Sequence, residues 1–265
     1  KKLKKKGIEG NINTTDDEAK VMKFKDGTSK PAYNHQSAVD GLFGITTAVE
    51  TVDNNDLSKD LLPLVEKSNS NTQSNHENVL ADCAFNDYEN VEQLLSEKNK
   101  ETYYVPDKDF EQEEKGKKGK YDISKFTIID ENTAKCPENK LMKRIYNKYS
   151  EGYSKYKYEG VECENCSKRQ ECTKASKRTI EIDSRRAYRD KMRERLKSDE
   201  GREIYSKRKE IAENGHGDDQ KNKKWTQHLL RGMDKAKTEF MLIRIVSNLG
   251  KIIRFKSSEL LAMMG

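Results

Sequence analysis

The sequence predicts an α/β fold, strands and helices with a cysteine-rich stretch between them. Three observations predict it. Two alternating, β-branched segments, residues 33–40 and 45–52, are joined by Gly41-Leu42-Phe43-Gly44, the pattern of a strand–turn–strand hairpin. Towards the C-terminus, Met233, Ala236, Phe240, Ile243 and Val246 recur at three- and four-residue spacing, and Leu242, Leu249 and Ile253 widen the stripe. That period marks an amphipathic helix with a broad buried face. Between these regions Cys136, Cys163, Cys166 and Cys172 lie close together.

In chain order, the basic residues 1–6 precede a polar segment in which Asp16-Asp17-Glu18 reads as a solvated turn. After the hairpin, Asn54-Asn55-Asp56 is expected to cap a short helix over 57–67 with Leu61, Leu64 and Val65 inward. Residues 68–78 carry few apolar side chains and read as a surface loop. The run Val79-Leu80-Ala81 reads as a strand delivering Asp82 at its end, and Asp82 is open to two readings, a metal ligand or a turn cap. A helix pattern follows over 87–98. Residues 102–105 read as a strand stopped by Pro106, residues 107–120 as a charged mobile loop, and 123–130 as a further strand.

The spacing Cys163-x2-Cys166, with Cys172 after it and Cys136-Pro137 before it, suits four thiolates around one tetrahedral ion, a structural Zn²⁺ site. An iron–sulfur cluster could use the same ligands, and free thiols are the bland alternative. Within the same region Tyr146, Tyr149, Tyr153, Tyr156 and Tyr158 alternate with Lys143, Arg144, Lys148, Lys155 and Lys157. Such interleaving either stacks on bases and pairs with phosphates or forms a polar hairpin whose tyrosines pack on its own surface. Residues 176–209 are rich in Arg and Lys with acids mixed in, the composition of a solvated helix.

Composition narrows the class. The chain has 265 residues, 52 basic and 46 acidic, for a net charge of +6. That balance does not by itself identify a nucleic-acid binder. No run of eighteen apolar residues suggests a membrane span, and the basic N-terminus lacks the apolar stretch of a secretory signal. Five cysteines without an export signal fit a reducing, cytoplasmic setting.

Several short motifs together resemble the bacterial insertion-sequence DDE transposases, in the group with a cysteine-bearing insertion. Thr15, Asp16, Ala19, Met22, Tyr33, Asn34 and Gln36 match its early signature, with Asp17 where the family has Pro. Ala81-Asp82 matches the segment around its second catalytic carboxylate, with Cys83-Ala84-Phe85 replacing Ala-Gly-Tyr. Tyr205-x-x-Arg208 precedes Glu213, the position of its last catalytic carboxylate, and Leu230-Arg231-Gly232, Glu239 and Asn248-Leu249 follow. The resemblance implies an RNase-H-like core over 12–130, the cysteine insertion over 131–180 and C-terminal helices completing the core over 181–255. It implies Asp82 and Glu213 as Mg²⁺ ligands and catalytic carboxylates, and Tyr205, Arg208, Lys223, Lys224 and Arg231 as DNA contacts. The first catalytic Asp of the family has no counterpart here and is expected on an upstream strand. The expected partners are double-stranded DNA, as element ends and target, and a second copy in a synaptic complex. The expected activity is DNA cleavage and strand transfer. A catalytically dead DNA-binding remnant and a zinc-stabilised interaction module are the competing readings.

Overall fold

The computed structural model describes residues 13–24, 26–54, 56–57, 59–150, 152–211, 224–225 and 227–264. It is a mixed α/β structure, and the chain divides into two compact units. The first comprises residues up to Leu80, Lys100–Tyr103 and Asp199 onward; the second comprises Ala81–Asn99 and Tyr104–Ser198.

In the first unit, β1 (Lys20–Lys23) pairs antiparallel with β2 (Ser29–Ala32), and β3 (Asn34–Val39) with β4 (Thr46–Val52). The β3–β4 hairpin is the expected one. Asp40 closes its turn: Oδ1 accepts from the N–H groups of Leu42 and Phe43 at 2.9 and 2.8 Å, Oδ2 accepts from Ile45 at 2.6 Å, and Gly44 takes φ +67°. A left-handed residue at that point suits glycine, which has no Cβ to clash.

Helix α1 (Leu61–Thr72) starts later and runs further than expected, into the segment read as a loop. Leu61, Leu64 and Val65 do face inward, and Ser68 extends the buried face. Its hydroxyl is satisfied by Thr47 Oγ1 at 2.6 Å and His76 Nε2 at 2.8 Å, so a polar residue can occupy that face without loss. The short strands β5 (Asn78–Leu80) and β6 (Thr102–Tyr104) form a third two-stranded sheet.

The last helix, named α7 once the second unit's helices are counted, spans Met233–Met264. Its buried face is narrower than the sequence pattern suggests. Ala236, Phe240, Arg244 and Ser247 are buried. By contrast Val246 is 58%, Leu249 53% and Ile253 63% exposed, and Leu242 is exposed as well. A four-residue repeat from Ala236 to Arg244, continued one turn on by Ser247, faces inward. The apolar residues expected to widen the stripe lie outside it. Polar contacts replace apolar burial along this helix: Asn248 exchanges two hydrogen bonds with the Thr46 backbone, at 2.9 and 2.8 Å.

The second unit is built on a five-stranded antiparallel sheet. Its strands, in spatial order, are β11 (Thr179–Asp183), β10 (Tyr153–Gly160), β9 (Leu141–Ser150), β8 (Thr133–Lys135) and β7 (Thr127–Ile128). One face is dry: Phe126, Ala134, Met142, Tyr158, Ile180 and Ile182 form a buried cluster. Strand β11 lies within the stretch read in large part as solvated helix, because Ile180 and Ile182 alternate with polar neighbours at the two-residue period of a strand. Residues 123–130 hold a 3₁₀ turn over Ile123–Lys125 and only two strand residues.

Helix α2 (Tyr88–Leu94) is capped by Asp87, which accepts from Asn90 N–H at 2.7 Å, and it buries Val91 and Leu94. The charged segment after Pro106 is no loop at its start. Asp107 caps α3 (Lys108–Glu114), accepting from Phe110 N–H at 3.0 Å, and Phe110 is buried. Asp107 is itself buried and forms a two-pronged ion pair with Arg193, at 2.6 and 2.7 Å. Burial alone would raise its carboxyl pKa, yet the Arg193 guanidinium holds it below the ordinary range. Arg193 lies on α5 (Arg186–Lys197), which follows the short helix α4 (Arg169–Cys172). Helix α6 (Asp199–Ser206) opens the return to the first unit.

Candidate functional site: a four-cysteine cavity and Asp82

The sheet brings the four cysteines together. Cys136 follows β8, Cys163 and Cys166 sit in the turn after β10, and Cys172 ends α4. All four line one cavity with Tyr121, Met142, Gly160, Thr173 and Arg178. Two local turns aim the thiols. Asn139 N–H donates to Cys136 C=O at 2.8 Å, Cys136 N–H donates to Lys140 C=O at 3.0 Å, and Asn139 adopts φ +58°. Cys166 N–H donates to Cys163 C=O at 3.1 Å, and Arg169 N–H to Cys166 C=O at 3.0 Å.

Gly160 is required here, because a Cβ at that position would collide with Cys163 Sγ. Arg178 N–H points at the same sulfur at 3.5 Å. The thiols are close enough to affect one another: burial raises the Cys172 pKa, and Cys163, Cys136 and Cys166 raise it further against the opposing Arg178 charge. All four thiols are free of disulfides. Among the described residues, however, no group of three or more His, Cys, Asp or Glu side chains is arranged to hold a metal ion. The cysteines converge without closing into a coordination sphere. The donor set suits a soft or borderline ion such as zinc, which binds thiolates. Neutral thiols have no such reason to converge to bonding distance, since ligation requires deprotonation.

Gly160 and Arg178 were missed in the sequence. Nothing in their spacing marks them: Gly160 N–H donates to Arg178 C=O at 2.9 Å through the β10–β11 pairing, so their place at the cavity follows from the sheet alone.

Asp82 lies just past β5 and caps the 3₁₀ turn Cys83–Phe85, its Oδ1 accepting from Ala84 N–H at 2.8 Å. Its Oδ2 accepts no hydrogen bond among the described residues. The segment after it is firmly held. Asn86 donates to Val105 C=O at 2.8 Å and accepts from Arg189 Nε at 3.1 Å, and the Arg189 guanidinium stacks on Tyr88, 3.7 Å from the ring centre. Cys83 faces Glu111. Burial raises its thiol pKa, and the Glu111 and Asp82 charges add to the effect. Glu213 and Lys223, and with them the expected pairing of Asp82 with Glu213, lie outside the described residues.

In the first unit, Arg208 approaches Tyr205 with its guanidinium 5.6 Å from the ring centre. Lys224 and Arg231 are exposed, and Lys224 has φ +54°. The Leu230-Arg231-Gly232 turn serves the start of α7. Glu239 gathers N–H groups from Trp225 at 2.9 Å and from Leu229 and Leu230 at 3.1 Å. Gly232, at φ +89°, donates its N–H to Asp16 Oδ2 at 3.0 Å, and Met233 donates to Glu18 Oε2 at 2.6 Å. Two of the three acids read as a solvated turn, Asp16 and Glu18, therefore serve as a long-range cap for the last helix, placing negative charge at its positive end. Burial alone would raise the Asp16 carboxyl pKa, but the Gly232 N–H and the Tyr33 hydroxyl outweigh it and hold the pKa below its usual value.

Among the described residues no helix is long and apolar enough to cross a membrane. No curated protein and no solved structure matches the chain. The model of the transposase DDE domain matches residues 135–253, a span that takes in all four cysteines of the cavity, Tyr205, Arg208, Glu213 and the Leu230-Arg231-Gly232 turn, and leaves Asp82 outside. Over residues 135–253 this chain is therefore similar to the transposase DDE domain family.

Proposed function

We propose that the chain forms part of an insertion-sequence transposase with an RNase-H-like catalytic core that cuts DNA at element ends and joins it to a target. The observation that carries this reading is the family match over 135–253, which contains the Tyr205-x-x-Arg208, Glu213 and Leu230-Arg231-Gly232 signature in order. Asp82 and Glu213 are the proposed carboxylates. Asp82 suits the role because one of its oxygens anchors its own turn through Ala84 N–H, leaving the other for a cation. Mg²⁺, which DDE domains generally use, would activate the attacking hydroxyl and stabilise the leaving oxygen. Arg208, Lys224 and Arg231 supply positive charge for phosphates, and two copies assemble on two element ends.

The cysteine cavity is proposed as a structural Zn²⁺ site held by Cys136, Cys163, Cys166 and Cys172, whose common cavity supports it. Freshly reduced protein should contain about one zinc per chain, and Cys163→Ser should lose it together with local order. Absence of zinc and iron would remove the site.

The catalytic reading is tested by nicking of a supercoiled plasmid. The chain alone is expected not to nick, since the two-metal mechanism needs a further carboxylate. Adding a segment that carries a strand-borne Asp should bring Mg²⁺-dependent nicking, and Glu213→Gln should then abolish it. Nicking that survives Asp82→Asn would show that the carboxylates are wrongly chosen. Binding of DNA without nicking under all these conditions would favour the catalytically dead remnant. Absence of DNA binding at low salt would favour the interaction module.

A further inference from the structure

The geometry points to the outward face of the β9–β10 hairpin as a binding surface for single-stranded DNA. This inference rests on the proposed DNA chemistry for the kind of polymer, and adds which face meets it and in what state. Directly opposed residues of an antiparallel pair share a face. Register therefore places Lys143, Tyr146, Lys148, Lys155 and Lys157 together, opposite in direction to the buried Met142 and Tyr158. Lys135, across β8, joins them through its pairing with Leu141.

None of these five lysines takes part in an ion pair among the described residues. The acids on the same face are largely engaged elsewhere: Glu159 pairs with Lys177 at 3.4 Å, and Asp183 is held by Arg185 at 2.9 Å. Glu181 stands opposite Lys157. Lys148 faces Lys155 directly across the hairpin. A like-charge pair in that position costs stability, and a bound phosphate would relieve it.

Tyr146 sits among these lysines with 52% of its surface exposed, opposite Lys157. At the end of the face the Arg185 guanidinium stacks 3.5 Å from the Tyr153 ring centre, which fixes that ring. Cations with an open aromatic ring suit a strand whose bases are unstacked, because each base can then offer a π-face while its phosphates meet the lysines. A duplex keeps its base faces inside the stack and would use the lysines alone.

Fluorescence anisotropy on the full chain tests this with a 20-mer oligothymidylate, an abasic 20-mer of equal charge and a 20-base-pair duplex. Oligothymidylate should bind about tenfold tighter than the abasic strand. Tyr146→Ala should remove that difference and leave abasic binding unchanged, while Tyr146→Phe should preserve it. The exposed ring makes loss of fold in either variant easy to exclude by circular dichroism. Lys148→Gln with Lys155→Gln should weaken both single strands and lower the salt slope by about 1.4, at about 0.7 for each phosphate no longer neutralised. Equal binding of thymidylate and abasic strands, tighter binding of the duplex, indifference to Tyr146→Ala, or no binding to any probe would each overturn the inference. Failure of the transposase reading shows separately, as absent Mg²⁺-dependent nicking with the oligothymidylate preference intact.

Discussion

The two units solve the same problem by different means. The second unit lays a dry sheet face over Phe126, Met142, Tyr158, Ile180 and Ile182, and keeps its buried carboxylates engaged, Asp107 with Arg193 and Asp183 with Arg185. The first has a hairpin and a long helix tied by polar contacts. Gln36 donates to Asp60 at 2.7 Å, and Glu50 bridges Lys67, at 2.9 Å, and Lys237. His35 and His228 meet at 2.8 Å beside Trp225 and Phe240. Meanwhile Leu242, Val246, Leu249 and Ile253 remain outside. Dry burial supplies stability without demanding geometry, whereas polar ties stabilise only where partners align. The second unit should therefore depend on a few buried groups, and the first on many moderate contacts.

The largest effect is expected at the Asp107–Arg193 pair. Arg193→Ala leaves a buried carboxylate without its partner and should cost about 3–5 kcal/mol in urea unfolding followed by far-ultraviolet circular dichroism. A cost below about 1 kcal/mol would mean that water reaches Asp107 and that the contrast between the units is overstated. Next, Asp16→Ala should cost about 1 kcal/mol by removing the cap of α7, read by the fluorescence of Trp225, the one tryptophan in the chain.

A smaller effect concerns acid. Burial raises the Glu50 pKa, but hydrogen bonds from Lys237 and Lys67 bring it down to about 2, below an unfolded value of about 4.3. A depressed folded pKa gives stability that is full above the unfolded value and is lost as pH falls from about 4.3 towards 2. Glu50→Gln should flatten the acid limb of the Trp225 transition over that interval, and an unchanged limb would remove the bridge as a stabilising tie. The smallest effect is expected at Leu249→Ser, within about 0.5 kcal/mol if the residue is solvated. A loss above about 1 kcal/mol that grows with protein concentration would show the exposed row of α7 to be covered by a second copy.

Local pattern and tertiary pairing contributed unequally to what could be read beforehand. The β3–β4 hairpin was legible because alternation and the Gly41–Gly44 turn act within a few residues. So was the inward row Leu61, Leu64 and Val65, although the helix carrying them begins at Leu61. The start of that helix was misplaced because Asn54-Asn55-Asp56 has the composition of a cap, and composition does not say which of several polar residues the chain selects. Residues 107–114 were misread because Asp107 and the charged residues after it suggest solvent, while the partner that allows Asp107 to be buried, Arg193, lies far along the chain.

The sequence alone determined the elements with a local period, the clustering of four cysteines, and the family signature from Tyr205 to Gly232, since each is written in residue type and spacing. Tertiary structure decided what those features face. The pairing of β9 with β10 sorts the interleaved tyrosines and lysines onto two sides, burying Tyr158 and exposing Tyr146. Gly160 and Arg178 reach the cysteine cavity only through the pairing of β10 with β11. The Asp16 and Glu18 carboxylates cap a helix that begins at Met233. Such contacts join positions far apart in the chain, and their free energy depends on distance and burial that no sequence period encodes.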